Sequence, residues 1–283
     1  MTLYHYTSGQ GIFGIFNSSE LHCSNVNFLN DPSEQSYFSD LLNDVFNQSS
    51  EAQEIHKALF NESFINAVVA PFDIYIGSFS KNGDSLSMWN YYSKGNGYNL
   101  GVDIDEIIRE CQKDKNVSIQ KIELIYEKSK QIDEIREFLL SSKDSYSKYS
   151  QIKDKQSSAG IKEEQYYELE SDIVGVIEEF NDELYKLMLR YKHQAYDREE
   201  EVRLIVSENE VEQKTTKFKV SDSGVFIEYI PLKLDLRNSI KSVTIHPLNG
   251  QLHVQGVKGF IRSRAGYNNK IEIKSSSIPF RVV

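Results

Sequence analysis

The sequence predicts an α+β fold in which a mixed or antiparallel sheet is interrupted by a helical insertion over residues 127–190. Strand-like segments concentrate in the first and last thirds of the chain, whereas the middle is charged and has helical periodicity. Strands and helices do not alternate regularly, as a doubly wound parallel sheet would require. We therefore expect one domain spanning residues 1–283, without internal repeats.

Short strands and helices alternate irregularly in the first part of the chain. Alternation within "LYHYT" predicts a strand, and the glycine-flanked "GIFGIF" predicts one or two helical turns that stop at Asn17 to Ser19. The next predicted elements are a strand over Glu20 to Leu29, a helix opened by "FLNDPSE" and a helix over Glu51 to Val69. A β-rich block follows, containing "DIYIGSFS", "SLSMWNYYSKG", "YNLGVDI" and "SIQKIELIY".

The predicted insertion carries one apolar helical stripe and one polar segment. The stripe consists of Ile173, Val176, Ile177, Phe180, Leu184, Leu187 and Met188. Lys143 to Gly160 is almost devoid of aliphatic residues, which predicts a loop between two helices. The last third returns to strands, namely "EVRLIV", "TKFKV", "VFIEYIPL", "SVTIHP" and "KIEIKSS".

Charge and composition exclude several classes of protein. A net charge of −10 and a pI near 5.2 argue against a protein that coats nucleic acid through a basic surface. No apolar run is long enough to span a bilayer, and no secretory signal is visible, so we expect no membrane association. Two cysteines, Cys23 and Cys111, suit a reducing compartment. We expect a soluble, cytoplasmic protein, and the histidines and cysteines show no metal-ligand spacing.

The segment "GQGIFG" matches the glycine spacing of a dinucleotide-binding fingerprint. Asp31, about 20 residues further on, lies where a ribose-binding acid is expected in such folds. However, the preceding strand is polar and aromatic, and the following helix is barely two turns long. We therefore favour a turn and short helix, and keep a Rossmann-type nucleotide-binding protein as an alternative.

Two further segments have both a structural and a functional interpretation. In "NFLNDPSE", Asn30, Asp31 and Glu34 match a helix cap with a supporting acid, and this structural interpretation is favoured. In "SFSKNGDSLSMWNYY", an aromatic cluster around Trp89 is flanked by several serines. The cluster fits either the core or the wall of a ligand pocket with hydroxyl donors.

The segment "YDREEEVRLIV" predicts a strand with a charged row. Because side chains alternate along a strand, Glu199, Glu201 and Arg203 are expected on one face and Val202 with Leu204 on the other. On a solvated edge this row would only solubilise the sheet. In a cleft, Arg203 would keep a neighbouring carboxylate ionised, and that carboxylate could act on a developing cation.

Five segments together, "LYHYTS", "FLNDPSE", "SFS…MWNYY", "EEEVR" and "IPFR", resemble a widespread bacterial family known only as a domain of unknown function. The characteristic elements of that family fall here on Tyr4–Tyr6, Asn30–Glu34, Met88–Tyr92 and Glu199–Arg203. The resemblance runs from Leu3 to Arg281. It implies a relative but no reaction.

A more distant resemblance is to ADP-ribosyltransferases, whose sites combine a strand-borne His, a Tyr and a late Glu in this chain order. The resemblance implies an ADP-ribosyltransferase-like fold and NAD as a substrate. His5 would hold a ribose, Tyr92 would stack on nicotinamide, and Glu201 would bind the ribose 2′-hydroxyl, with Glu199 orienting an acceptor. The remaining cofactor-binding candidates are Tyr6, Thr7, Ser80, Trp89 and Arg203.

These resemblances predict an NAD-consuming enzyme, a transferase or NAD glycohydrolase, that cleaves the nicotinamide–ribose bond. Analogy with bacterial proteins of similar size and chemistry suggests a toxin or anti-phage effector. The acceptor, whether protein, nucleic acid or water, and any regulatory partner protein are left open. The alternative from another class is a non-catalytic module that binds a nucleotide or a protein through the same aromatic pocket.

Overall fold

The computed structural model describes residues 1–28, 33–60, 74–93, 95–113, 116–157, 162–208, 215–221 and 223–279. The chain divides into two compact units. The first unit comprises the described residues within Met1–Leu29, Asp73–Glu123 and Tyr196–Val283. The second comprises those within Asn30–Phe72 and Leu124–Ala195. The prediction of a single domain is not tested by this division and stays a prediction.

The first unit is built on a sheet that has ten strands within the described ranges. They are β1 (Thr2–Thr7), β2 (Glu20–Asn25), β3 (Ile74–Ser80), β4 (Tyr98–Asp103), β5 (Val117–Glu123), β6 (Glu201–Glu208), β7 (Lys217–Val220), β8 (Phe226–Lys233), β9 (Ile240–Ile245) and β10 (Glu272–Ser275). One path through the sheet runs β10-β9-β4-β1-β3-β2-β8-β7, and β6 joins β3 to β5. Among the strands of the described residues, only β9 and β10 pair in parallel. The predicted α+β class with a mixed, mostly antiparallel sheet is thus confirmed.

The sheet divides at its central strand, β3. One edge of β3 pairs with β6 along its whole length. On the other edge, β1 pairs only at Tyr4↔Ser80, and β2 pairs only at Ser24↔Ile76 and Asn25↔Tyr75. Because β1 and β2 both run antiparallel to β3, they are parallel to each other. Between the Tyr4↔Ser80 pair and the Ser24↔Ile76 pair, neither strand pairs with this edge of β3. We call this opening beside residues 77–79 of β3 the fork. Ser78 is exposed there, although it lies in the middle of a central strand.

The helices of the described residues are α1 (Gly9–Ser18), α2 (Ser33–Gln48), α3 (Ser50–Leu59), α4 (Leu86–Tyr92), α5 (Ile104–Cys111), α6 (Lys128–Ser141), α7 (Lys143–Gln156), α8 (Glu163–Met188), α9 (Leu236–Ser239) and α10 (Gln251–Ala265). In the first unit, α1, α5 and α10 contribute to the apolar core on one face of the sheet. In the second unit, α2, α3, α6, α7 and α8 enclose a separate core. Both cysteines are buried.

Several predicted elements differ from those observed. Lys143 to Gln156 is helical rather than a loop, because Tyr146, Tyr149 and Ile152 recur at helical spacing and pack into the core of the second unit. The polar character of the other positions hid this narrow apolar face.

Other differences concern strand and helix boundaries. The "SLSMWNYYSKG" segment of the predicted β-rich block contains helix α4. Strand β2 ends at Asn25, where a 3-10 turn over Val26–Phe28 begins. Helix α3 ends at Leu59, and residues 61–69 of that prediction, like Asn30 and Asp31, lie outside the described residues.

Candidate active site

Strand β6 separates an apolar face from a charged one. Val202 and Leu204 are completely buried in the core of the first unit. Glu201 and Arg203 alternate with them and therefore lie on the opposite face. They are also buried, with 6% and 1% of their surface exposed. Arg203 Nε donates to Glu201 Oε1 at 2.9 Å. The interpretation of Glu201 and Arg203 as a solvated charge row is thus wrong, because the two side chains form a buried ion pair.

Glu199 is placed by a turn rather than by the strand. It ends the 3-10 turn Gln194–Glu199, and β6 begins only at Glu201, so the prediction that Glu199 belongs to the strand row is wrong. The Ser80 hydroxyl donates to the Glu199 carbonyl oxygen at 2.7 Å. The Tyr92 hydroxyl donates to Glu199 Oε1 at 2.9 Å. Glu199 is buried by this arrangement, next to the start of β6.

Helix α4 brings Tyr92 to this position through a buried aromatic anchor. Trp89 has no exposed surface, and its ring meets the edge of Tyr6 with centroids 4.9 Å apart. The Tyr6 hydroxyl donates to the Asn82 carbonyl and accepts from the Ser85 N–H, both at 2.9 Å. These contacts favour the core interpretation of Trp89 and Tyr6, because neither ring offers a free face to a ligand. Cofactor binding by these two residues stays a prediction.

Asp84 fixes both α4 and the segment after β10. It accepts hydrogen bonds from Trp89 Nε1 at 2.8 Å, the Ser276 hydroxyl at 2.6 Å and the Ser277 N–H at 2.8 Å. Burial opposes ionisation of Asp84, but these bonds together hold its pKa below the ordinary value. The carboxylate form of Asp84 thus stabilises the scaffold behind the candidate site.

His5 lies at the fork. Its Nδ1 is 3.2 Å from the Ser78 carbonyl oxygen, a group on the edge of β3 where β1 and β2 separate. Burial lowers the pKa of His5, so the neutral imidazole is favoured at pH 7. Ser78 is in turn the cross-strand partner of Arg203. His5 therefore lies one strand away from the Glu201–Arg203 ion pair, but on the other face of the sheet. Its neighbour Tyr4 pairs with Ser80, which pairs with Glu201, whereas the His5 ring contacts Phe79, the partner of Val202. The register thus does not bring His5 and Glu201 together on one face.

The remaining candidates divide between scaffold and accessible surface. Ser80 is fully buried, with its hydroxyl also accepting from the Asn82 N–H at 3.0 Å, which makes it a positioning group for Glu199. Thr7 and Tyr92 are half-buried.

A shallow cleft of about 440 Å³ opens beside α4 and is lined by Ser85, Leu86, Ser87, Asn90, Tyr91 and Arg198. Sequence reasoning missed Arg198, whose only signal was its position next to Glu199.

The comparisons with known proteins give one match. A family model described as a protein of unknown function (DUF2971) matches residues 88–204. The match covers less than half of the chain. It includes "MWNYY" and "EEEVR", the two segments joined by the Tyr92–Glu199 hydrogen bond, and leaves "LYHYTS", "FLNDPSE" and "IPFR" outside. This supports the predicted similarity to a family of unknown function.

No curated protein and no solved structure matches the chain. Within the ranges that the structure describes, no helix is both long and apolar enough to cross a bilayer. In the same ranges, no group of three or more His, Cys, Asp or Glu residues is arranged to hold a metal ion.

Proposed function

We propose that this protein consumes NAD in an ADP-ribosyltransferase-like reaction that cleaves the bond between nicotinamide and ribose. The observation that carries the proposal is the arrangement around the start of β6, beside the end of β3, where Glu199 and Glu201 are both buried and the half-buried Tyr92 contacts Glu199. Glu201 is ion-paired with Arg203, and Glu199 accepts from Tyr92. A ribose contact of His5, which lies one strand away at the fork and on the other face of the sheet, stays a prediction.

The chemistry requires a carboxylate where positive charge develops. As the bond from ribose C1′ to the nicotinamide nitrogen breaks, its electron pair leaves with nicotinamide and an oxocarbenium-like ribose remains. An ionised Glu201, favoured by its pairing with Arg203, stabilises that cation. An acceptor nucleophile, which is water in NAD hydrolysis, then forms the new bond to C1′ and gives up a proton. Glu199 is the carboxylate that would orient this acceptor or receive the proton.

The second candidate function is a non-catalytic module that binds a nucleotide or a protein. The deep burial of the Glu201–Arg203 pair favours it, because a buried ion pair can have a purely structural role. The strand directions argue against the Rossmann alternative. In that fold a parallel sheet follows the glycine motif, whereas β1 and β2 on either side of α1 both run antiparallel to β3. A role as a toxin or anti-phage effector, with an acceptor and partner still open, stays a prediction.

Nicotinamide release from NAD tests the proposal directly. The variant Glu201→Gln keeps the side-chain shape but removes the charge, and we expect turnover to fall about 10²–10³-fold. Glu200→Gln is the matched control, since Glu200 is the adjacent, exposed carboxylate and its change should leave turnover within about twofold. Thermal melts establish that both variants are folded. Equal turnover by wild type and Glu201→Gln would overturn the assignment, and NAD binding without any nicotinamide release would favour the binding module.

A further inference from the structure

Lys219 on β7 is a half-buried ammonium without a carboxylate partner in the described part of the chain. Its Nζ donates to the Ser24 hydroxyl at 3.0 Å and lies 5.5 Å from the centroid of the Tyr229 ring. Burial lowers the pKa of Lys219 below its ordinary value. A cation held in this way is stabilised when an anion arrives, because the anion replaces the solvation that burial removed.

His22 adds a second polar group to the same place. Its ring stacks on Tyr229 with centroids 3.9 Å apart. Burial, followed by the charge of Lys219, lowers the pKa of His22 to about 4. The ring is therefore neutral at pH 7 and carries one N–H donor. The neighbouring Glu20 does not cancel the charge of Lys219, because Lys217 pairs with it at 3.1 Å.

The register of the sheet places these groups on the same face as the candidate active site. Ser24 pairs with Ile76 of β3, and Glu201 pairs with Ser80. Directly paired side chains share a face, and positions 76 and 80 of one strand also share it. Four residues of strand separate the two pairs by about 13 Å.

We propose that Lys219, Ser24 and His22 form a subsite for the diphosphate group of the dinucleotide substrate. This assignment rests on the proposed use of NAD. Lys219 supplies the positive charge, the Ser24 hydroxyl and the His22 N–H supply neutral donors, and Tyr229 provides the wall against which they are held. Lysine commonly binds phosphate as a point charge. The fork then lies between the diphosphate and the carboxylates that act on the ribose.

Equilibrium binding of ADP and of adenosine tests the subsite without requiring turnover. We expect Lys219→Gln to bind ADP at least tenfold more weakly than wild type, because it loses a charge-assisted hydrogen bond, and to bind adenosine with unchanged affinity. Lys219→Arg, which keeps the charge, should stay within about threefold of wild type for ADP. Lys217→Gln is the matched control on the same strand and face, and should stay within about twofold, since Lys217 is paired with Glu20.

The outcomes separate this inference from the proposed function. Equal ADP affinity in wild type and Lys219→Gln overturns the subsite, as does a wild type that binds ADP no better than adenosine. If wild type releases no nicotinamide but loses ADP binding on Lys219→Gln, the subsite stands and the proposed reaction fails. If nicotinamide is released with the same KM for NAD in wild type and Lys219→Gln, the reaction stands and the subsite fails. If Lys219→Gln does not fold, two other measurements decide. The subsite predicts that salt weakens ADP binding to wild type and that Ser24→Ala binds ADP more weakly than wild type, and it is overturned if neither occurs.

Discussion

Tyr92 and Glu199 are separated by 107 residues of sequence and joined by a hydrogen bond of 2.9 Å from the tyrosine hydroxyl to carboxylate Oε1. This bond ties the end of α4 to the turn before β6, the two segments that border the candidate active site. Ser80 supports the same turn through the Glu199 carbonyl. The position of Glu199 therefore depends on contacts from β3 and from α4 together.

Removing the Tyr92 hydroxyl should weaken this connection. We expect Tyr92→Phe to lower the free energy of unfolding by about 1 kcal/mol, because the buried Glu199 carboxylate loses one donor. Tyr91→Phe, at a side chain that is 73% exposed, should change it by less than about 0.5 kcal/mol. Denaturant unfolding measures both. Identical midpoints for the two variants would show that the bond contributes nothing to stability.

The glycines of "GQGIFG" should differ sharply in their response to alanine. Gly14 lies in the interior of α1 with open space around it, so Gly14→Ala should stabilise the protein by about 0.5–1 kcal/mol. A Cβ at Gly11 would instead collide with the Thr7 hydroxyl oxygen, so Gly11→Ala should destabilise it. Thermal melts distinguish the two. A loss of nucleotide binding in a stable Gly14→Ala protein would contradict the view that this motif is only a turn and a helix.

Asp84→Asn should destabilise the first unit. The Asp84 carboxylate accepts hydrogen bonds from Trp89, Ser276 and Ser277. The asparagine amide keeps one acceptor oxygen, but its NH2 group would face some of these donors and could not accept from them. We expect a loss of about 1–3 kcal/mol in the free energy of unfolding. The pKa of Asp84 is lowered in the folded state, so its contribution is present above the ordinary pKa of an aspartate and is lost as pH falls through the folded value. Asp235→Asn, at the cap of the short α9, serves as a solvent-facing comparison, and an equal loss there would argue against a special role for Asp84.

His56 should make the protein sensitive to mild acid. Its ring stacks on Phe60 with centroids 4.2 Å apart, and within the described chain Nε2 has no hydrogen-bond partner. Burial lowers its pKa to about 4. Because the unfolded chain takes up a proton near pH 6.5 and the folded one does not, His56 reduces stability as pH falls from about 6.5 to about 4.

The corresponding measurement is the difference in melting temperature between pH 7.5 and pH 5. His56→Leu should make that difference smaller than in wild type, since one proton-linked contribution is removed. His253→Leu, an exposed position on α10, should leave the wild-type difference unchanged. A His56→Leu protein with the same pH response as wild type would rule out this source of acid sensitivity.

Local patterns in the sequence were sufficient to predict much of the sheet and one important pair. Alternation in "EVRLIV" placed Glu201 and Arg203 opposite Val202 and Leu204, as the structure shows. The same alternation failed at Glu199, because a turn ends one residue before the strand begins. Lys143 to Gln156 was missed because a helix needs only a narrow apolar face to pack.

The fork and the Lys219 cluster could not be predicted from local pattern at all. Both depend on which strands pair, and those partners are distant in sequence: β1 and β2 both meet β3, and β2 meets β8. The exposure of Ser78 is a consequence of the same pairing, since nothing in "DIYIGSFS" distinguishes a covered serine from one at an opening. Hydrophobic periodicity identifies strands and their faces, but not their neighbours.

The pairing of β3 with β6 also has a consequence for synthesis on the ribosome. The paired residues of these strands that are nearest in sequence, Ser80 and Glu201, are 121 positions apart. At a synthesis rate of about 5–20 residues per second, β6 is therefore made about 6–24 s after β3. During that time, the edge of β3 that β6 later covers is open to other chains, and its apolar face lacks Val202 and Leu204. We therefore expect the nascent chain to need dilution or chaperone shielding until residue 208 has emerged. Truncation before β6 should yield an aggregating fragment rather than a smaller folded protein.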